Sequence, residues 1–135
     1  MSNLVIPRNI TKICRFSFAG CRNLINVTIP NSVTEIGSGA FSECSSLTNI
    51  KIPNSISKIN SFTFSGCSSL NNVSIPNSVT EIGDNAFSKC SSLVNIQIPI
   101  SFIKIGSYAF SNCRSLTNIK IPNRISKINS FTFSG

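Results

Sequence analysis

With 135 residues, 41% hydrophobic and 12% charged, the chain suits one modest domain and is too apolar for a disordered one. No run approaches the roughly 18 apolar residues a membrane span requires. The net charge of +8 sits at the ends, since residues 1–22 and 104–135 carry four and five cations with no acid, while the middle sums to −1.

The N-terminal stretch MSNLVIPRNITKIC has neither an uninterrupted apolar core nor a small-residue cleavage site, so it does not read as a signal peptide. The expectation is a cytosolic chain, or one whose signal lies outside this sequence. The opening alternation ends in Ile6-Pro7, and that dipeptide returns at 29–30, 52–53, 75–76, 98–99 and 121–122, always after 23 residues. Phenylalanine recurs in the same phase from Phe18 to Phe133, cysteine from Cys21 to Cys113, leucine from Leu24 to Leu116 and isoleucine from Ile13 to Ile128. A period of this length marks a repeat architecture. The whole chain reads as one array with repeats at about 1–23, 24–46, 47–69, 70–92, 93–115 and a truncated 116–135.

Each repeat predicts the same elements in order. In NIKIP, Ile50 and Ile52 alternate with Asn49 and Lys51, which predicts a short half-buried strand. Pro53 has no N–H and ends its ladder. Ile56 and Ile59 point inward along a return segment. A corner follows at Gly37, Gly83 and Gly106, alternating with Asn60 and Asn129, residue types that tolerate positive φ. Ala40, Phe41 and Cys44 then fall at the spacing of one helical turn with an inner face. Leu47 leads into the next strand. One repeat is too small to bury these residues, but parallel stacking makes a continuous core. TNIKIPNSISKINSFTFSG (48–66) returns at 117–135 with only Ser55 changed to Arg124, a shift of three repeats that indicates block duplication.

The pattern from Leu47 to Cys67, Leu-x-x-Ile-x-Ile-Pro-x-x-Ile-x-x-Ile with Ala-Phe-x-x-Cys in sister copies, resembles the leucine-rich repeats. It is most similar to the 23-residue, Treponema-type class of BspA-like surface proteins found in bacteria and some protists. The resemblance covers the whole chain. It implies an α/β-type solenoid: a right-handed superhelix with a short parallel sheet on the concave side and helical turns or loops on the convex side. It also implies adhesion or recognition at a cell surface or after secretion, without catalysis. The asparagine ladder of commoner leucine-rich repeats would fall at Asn9, Ser32, Ser55, Ser78, Ser101 and Arg124, where serine dominates. Turn hydrogen bonding is therefore expected to be weaker or differently arranged. No polar capping repeat stands at either end, so the array reads as a fragment of a longer one.

The cysteine column predicts small buried hydrophobes with free thiols. Disulfides between neighbouring rungs are sterically conceivable, yet five cysteines in one column cannot all pair, and Cys14 sits elsewhere. Metal binding is disfavoured because the chain has no Cys-x-x-Cys and no histidine. A catalytic cysteine would lack a histidine base. The column Lys12, Glu35, Lys58, Glu81, Lys104, Lys127 reads as a cross-rung charge ladder, not as a paired-carboxylate site. No cofactor is implied.

Strand alternation places two polar columns on the concave face. One holds Asn26, Asn49, Asn72, Asn95 and Asn118. The other includes Lys51, Ser74, Gln97 and Lys120. These nine are the candidate ligand-binding residues, for a protein or a glycan. The variable column is favoured, because variation across repeats marks a binding face. The competing reading is an amide ladder that only solvates the sheet. Scattered basic residues argue against nucleic acid, which needs a contiguous stripe with exposed aromatics. Phe16, Phe62, Tyr108 and Phe131 share one further column, placed on the convex side. The uncapped ends could self-associate end to end, with their positive charge opposing it. Three Asn-x-Ser/Thr sequons, at Asn9, Asn26 and Asn72, are what composition alone produces. Spacer repeats within a longer surface protein are the alternative function.

Overall fold

The computed structural model describes residues 2–120, 127–128 and 132–133. Each repeat contributes two strands. The first set is β1 (Ser2–Val5), β3 (Leu24–Thr28), β5 (Asn49–Lys51), β7 (Asn72–Ser74), β9 (Asn95–Gln97) and β11 (Asn118–Lys120). The second set is β2 (Lys12–Ile13), β4 (Glu35–Ile36), β6 (Lys58–Ile59), β8 (Glu81–Ile82), β10 (Lys104–Ile105) and β12 (Lys127–Ile128). All pairings are parallel, and residues such as Asn49 and Asn72, or Lys12 and Glu35, face each other one repeat apart. The sequence period thus becomes the spatial period of a parallel solenoid. One irregularity falls between Ser2 and Asn3.

Neither ladder is continuous. The first divides into β1-β3-β5-β7 and β9-β11, the second into β2-β4 and β6-β8-β10-β12. The second break has a visible cause. In other rungs, the backbone N–H of Gly37, Gly83 or Gly106 donates to the carbonyl of Ile13, Ile59 or Ile82 at 2.7–2.8 Å. Asn60 occupies that column in the third rung, and its side-chain Nδ2 donates to the Ile36 carbonyl at 2.6 Å instead.

Proline behaves as expected. The final ladder donors are Ile6 and Ile52, each 3.0 Å from its acceptor, and the next residue is the proline. The carbonyls of Pro7, Pro30, Pro53, Pro76 and Pro99 each accept from the residue three positions on, turning the chain toward the return strand.

Two expectations are corrected. The described residues contain no helix, so the segments expected as helical turns are plain turns. Ala40, Phe41 and Cys44 are fully buried as anticipated, but their backbone alternates partners. The N–H groups of Ala40, Ser42 and Cys44 donate three residues back, while those of Gly39, Phe41 and Glu43 donate to Ser61, Thr63 and Ser65 of the next rung. A helix would direct all six along its own axis. Stacking competes for every second donor, and left-handed backbone at Gly39 (φ 67°) and Glu43 (φ 59°) interrupts the helical run.

The second correction concerns the corner glycines. Positive φ falls on Phe16, Phe62, Asn85 and Tyr108, not on Gly37, Gly83 or Gly106. Those glycines answer a different demand. A Cβ on Gly37 would lie 2.5 Å from the Arg15 nitrogen, and one on Gly83 would lie 2.7 Å from the Ser61 nitrogen. The rungs approach too closely there for a side chain.

The core is built in columns. Phe18, Phe41, Phe64, Phe87, Phe110 and Phe133 form an unbroken stack, with ring centroids 5.4–5.8 Å apart and planes within 14° of parallel. Leu47, Leu70 and Leu93 are fully buried beside it, with Ile50, Ile52 and Ile59 closing the strand side.

Candidate functional site

The first strand set carries the candidate face, and pleating decides which residues reach it. In β5, β7 and β9 the middle residue is buried and the flanking two are exposed. Asn49, Lys51, Asn72, Ser74, Asn95 and Gln97 therefore project together, with Asn26 half-buried beside them. Register aligns the columns: Asn26 faces Asn49, Asn49 faces Asn72, and Lys51 faces Ser74. Backbone pairing likewise sets Asn95 opposite Asn118 and Gln97 opposite Lys120. The side chains of Asn118 and Lys120 lie outside the described residues. The gap between β7 and β9 divides the nine candidates into two groups, Asn26 through Ser74 and Asn95 through Lys120.

A solvated amide ladder would link successive asparagines by hydrogen bonds. Among the described residues that link forms once, from Asn26 Nδ2 to Asn3 Oδ1 at 3.1 Å. Asn49 Nδ2 instead reaches its neighbour Thr48 Oγ1 at 3.4 Å. Asn49, Asn72 and Asn95 are exposed, and among the described residues none of them closes an amide pair with another asparagine.

The neighbouring charge column is a weak register device. Lys12 approaches Glu35 at 3.8 Å and Lys58 approaches Glu81 at 3.9 Å, with all four side chains at least one-third exposed. Pairs this exposed contribute little.

The cysteine column has a structural task. Cys44, Cys67, Cys90 and Cys113 are buried free thiols, and each donates to a phenylalanine carbonyl one rung back, at Phe18, Phe41, Phe64 and Phe87, over 3.1–3.2 Å. Burial pushes the Cys44 and Cys113 thiols up to about 11, and drives Cys67 and Cys90 higher still, with neighbouring column thiols adding to the rise. Thiols held neutral in this way are poor nucleophiles and poor metal ligands. Cys14 and Cys21, on the first rung, are exposed. Among the described residues, no three His, Cys, Asp or Glu side chains gather as a metal site would require.

The serine column forms its own inter-rung link, which resolves the expectation of altered turn bonding. Ser78 Oγ donates to the Ile56 carbonyl at 2.7 Å and Ser101 Oγ to that of Val79 at 3.0 Å, with Ser55 bonded likewise to Val33. The Ser32 hydroxyl is buried without a partner. Arg124 lies outside the described residues.

Sequence reasoning passed over one surface feature. Ile100 and Ile103 are 70% and 47% exposed, in columns that hold asparagine or Thr/Ser in most other rungs. The signal was available as a departure of both columns from polar to apolar within IPISFI (98–103).

The comparisons agree with this geometry. Six copies of the BspA type leucine rich repeat region match, over residues 1–102 and 58–135. A leucine-rich repeat protein from Bacteroides ovatus is 36% identical over 89% of this chain, with a TM-score of 0.85, and the chain covers 33% of it. The T. pallidum leucine rich repeat protein is 35% identical over 89% of this chain, with a TM-score of 0.86 and 58% of its length covered. A leucine rich cell surface protein from Faecalibacterium prausnitzii is 37% identical over 88%, with a TM-score of 0.79 and 32% of its length covered. The present chain thus spans between a third and three-fifths of these proteins. None of the curated proteins compared with it matches.

Proposed function

From the premise that this chain belongs to the family of BspA-type leucine-rich repeat proteins, we propose that it is a non-enzymatic recognition module. Its strand face binds a protein or a glycan. The observation that carries this reading is the Asn column, which keeps rung register from Asn3 to Asn72 and again from Asn95 to Asn118, yet closes only one amide pair among the described residues. The sheet holds the backbones of these exposed asparagines in register, so a ligand meets their amides without first breaking a side-chain ladder. Lys51, Ser74, Gln97 and Lys120 vary beside that column and set specificity.

Surface display is part of the proposal, supported by the cell-surface protein from Faecalibacterium prausnitzii among its relatives. No helix among the described residues is long and apolar enough to cross a membrane. The reading as spacer repeats also has an observation behind it, because the chain covers only 32–58% of the relatives named above.

The test is a pull-down from extracellular matrix and cell-surface extracts. Wild type is compared with a Lys51→Glu, Gln97→Glu, Lys120→Glu variant, and circular dichroism checks that both fold. A partner kept by wild type and lost by the variant supports the strand face. Equal retention, or none, means the rungs are scaffold.

A further inference from the structure

The turn segments carry a surface that the strand-face proposal does not use. Positions 16, 39, 62, 85, 108 and 131 form one column reading Phe, Gly, Phe, Asn, Tyr, Phe, of which the first five are described. All five adopt left-handed backbone, with φ between 56° and 67°. Glycine and asparagine suit that backbone, whereas bulky aromatic residues are strained in it. The aromatic side chains also remain in water: Phe16, Phe62 and Tyr108 are 57%, 45% and 39% exposed. Among the described positions of the column, strain and apolar exposure therefore coincide at Phe16, Phe62 and Tyr108, two rungs apart. Such outliers point from structure to function.

Packing explains half of the pattern. A Cβ on Gly39 would come within 2.3 Å of the Phe16 ring, so that ring lies over the small residue of the next rung. This accounts for glycine at position 39 beside Phe16. It does not account for rings left half in solvent where Asn85 shows that a polar residue fits the same backbone.

Spacing and charge indicate what the rings would meet. Core rings one rung apart are 5.4–5.8 Å apart, and parallel strands pack at about 4.8 Å, so side chains two rungs apart lie roughly 10–12 Å apart. Stacked nucleobases are far closer than that. In an extended β-linked polysaccharide, alternate sugars present the same apolar C–H face, at a repeat close to this two-rung distance. Although the chain carries +8 overall, the described turn segments 14–20, 37–43, 60–66, 83–89 and 106–112 hold Arg15 and Lys89 against Glu43 and Asp84, which cancel. An occupant matched to that surface is uncharged.

We propose that Phe16, Phe62 and Tyr108 form a docking strip for a neutral, extended β-linked polysaccharide, each ring stacking on every second sugar. The strip lies on the turns and is separable from the strand face. Asparagine, already present at position 85, is the substitution that removes a ring while easing the backbone.

The experiment compares wild type, a Phe16→Asn, Phe62→Asn, Tyr108→Asn variant, a ring-preserving Phe16→Tyr, Phe62→Tyr variant and a Lys51→Glu, Gln97→Glu strand-face variant. Sedimentation with insoluble cellulose and chitin and calorimetric titration with their soluble hexasaccharides give binding, and thermal melts give stability. The expected result is retention of wild type on at least one polymer, weakened at least tenfold in the asparagine variant at an equal or higher Tm. The tyrosine and strand-face variants keep wild-type affinity. The proposal is overturned if wild type binds neither polymer, if the asparagine variant binds equally well, or if that variant melts far below wild type, which would make the rings structural. It is also overturned if the strand-face variant loses binding, or if the strip binds heparin or DNA and not these neutral glycans.

Discussion

Truncating Phe64 to alanine should divide the solenoid. The ring is fully buried and stacks on Phe41 at 5.8 Å and on Phe87 at 5.4 Å. Large-to-small changes of this kind in a packed core cost about 3–5 kcal/mol. Losing two aromatic neighbours, each worth about 0.5–1.5 kcal/mol beyond area, places Phe64→Ala near the top of that range. Phe18 is half-buried and stacks on Phe41 at 5.5 Å. Burying a phenylalanine side chain fully is worth about 1.5–3 kcal/mol, so Phe18→Ala should cost no more than about 2 kcal/mol. A solenoid is stabilised by nearest-neighbour interfaces, so an interior gap weakens two interfaces while an end gap weakens one. The assay is urea denaturation followed by far-UV circular dichroism and by the fluorescence of Tyr108, the single tyrosine of the chain. For Phe64→Ala the two transitions should separate, because the rungs on either side of position 64 lose their coupling. Equal losses for Phe18→Ala and Phe64→Ala, with coincident transitions in both, would refute the reasoning that the ring stack couples the rungs.

Four further outcomes follow from the columns. At pH 8 a thiol reagent should label only Cys14 and Cys21 in the native protein and all six cysteines after denaturation. The buried thiols are raised above the ordinary value near 9, Cys44 and Cys113 to about 11, so the native state keeps them neutral after the unfolded chain has begun to ionise. Their contribution is complete below pH 9 and is lost as pH rises toward 11, so Tm should fall across that window in wild type and less in a Cys67→Ala, Cys90→Ala variant. Ser78→Ala leaves the Ile56 carbonyl without its hydroxyl donor and should cost about 1 kcal/mol, whereas Ser32→Ala removes a hydroxyl that has no partner and should be neutral or raise Tm. Gly37→Ala drives a methyl group into the Arg15 backbone and should cost about 1–3 kcal/mol; Gly20→Ala meets no atom within 4 Å and should cost about 1 kcal/mol from its φ of 75° alone, a contrast that chemical denaturation resolves.

The strands were legible because burial on one side of a short strand imposes an alternation that Asn49-Ile50-Lys51 displays directly. The serine column was visible as a departure from the commoner asparagine pattern, but which carbonyl each hydroxyl reaches depends on the neighbouring rung. Ala40, Phe41 and Cys44 illustrate the limit of periodicity. Their spacing fits one helical turn, and all three are buried, yet inter-rung bonding takes half of the donors that a helix needs. The candidate face was readable as columns, while the break between β7 and β9 left no mark on those columns.

By itself the sequence determined the repeat length, the inward columns of Ile, Leu, Phe and Cys, and the outward polar columns, because a 23-residue period and residue hydrophobicity are properties of the chain alone. Only the tertiary structure decided why Gly37 must lack a side chain, which carbonyl each thiol and serine hydroxyl finds, and that the aromatic residues Phe16, Phe62 and Tyr108 occupy left-handed backbone. Each of these depends on how closely one rung approaches the next, a distance set by stacking and written in no single repeat.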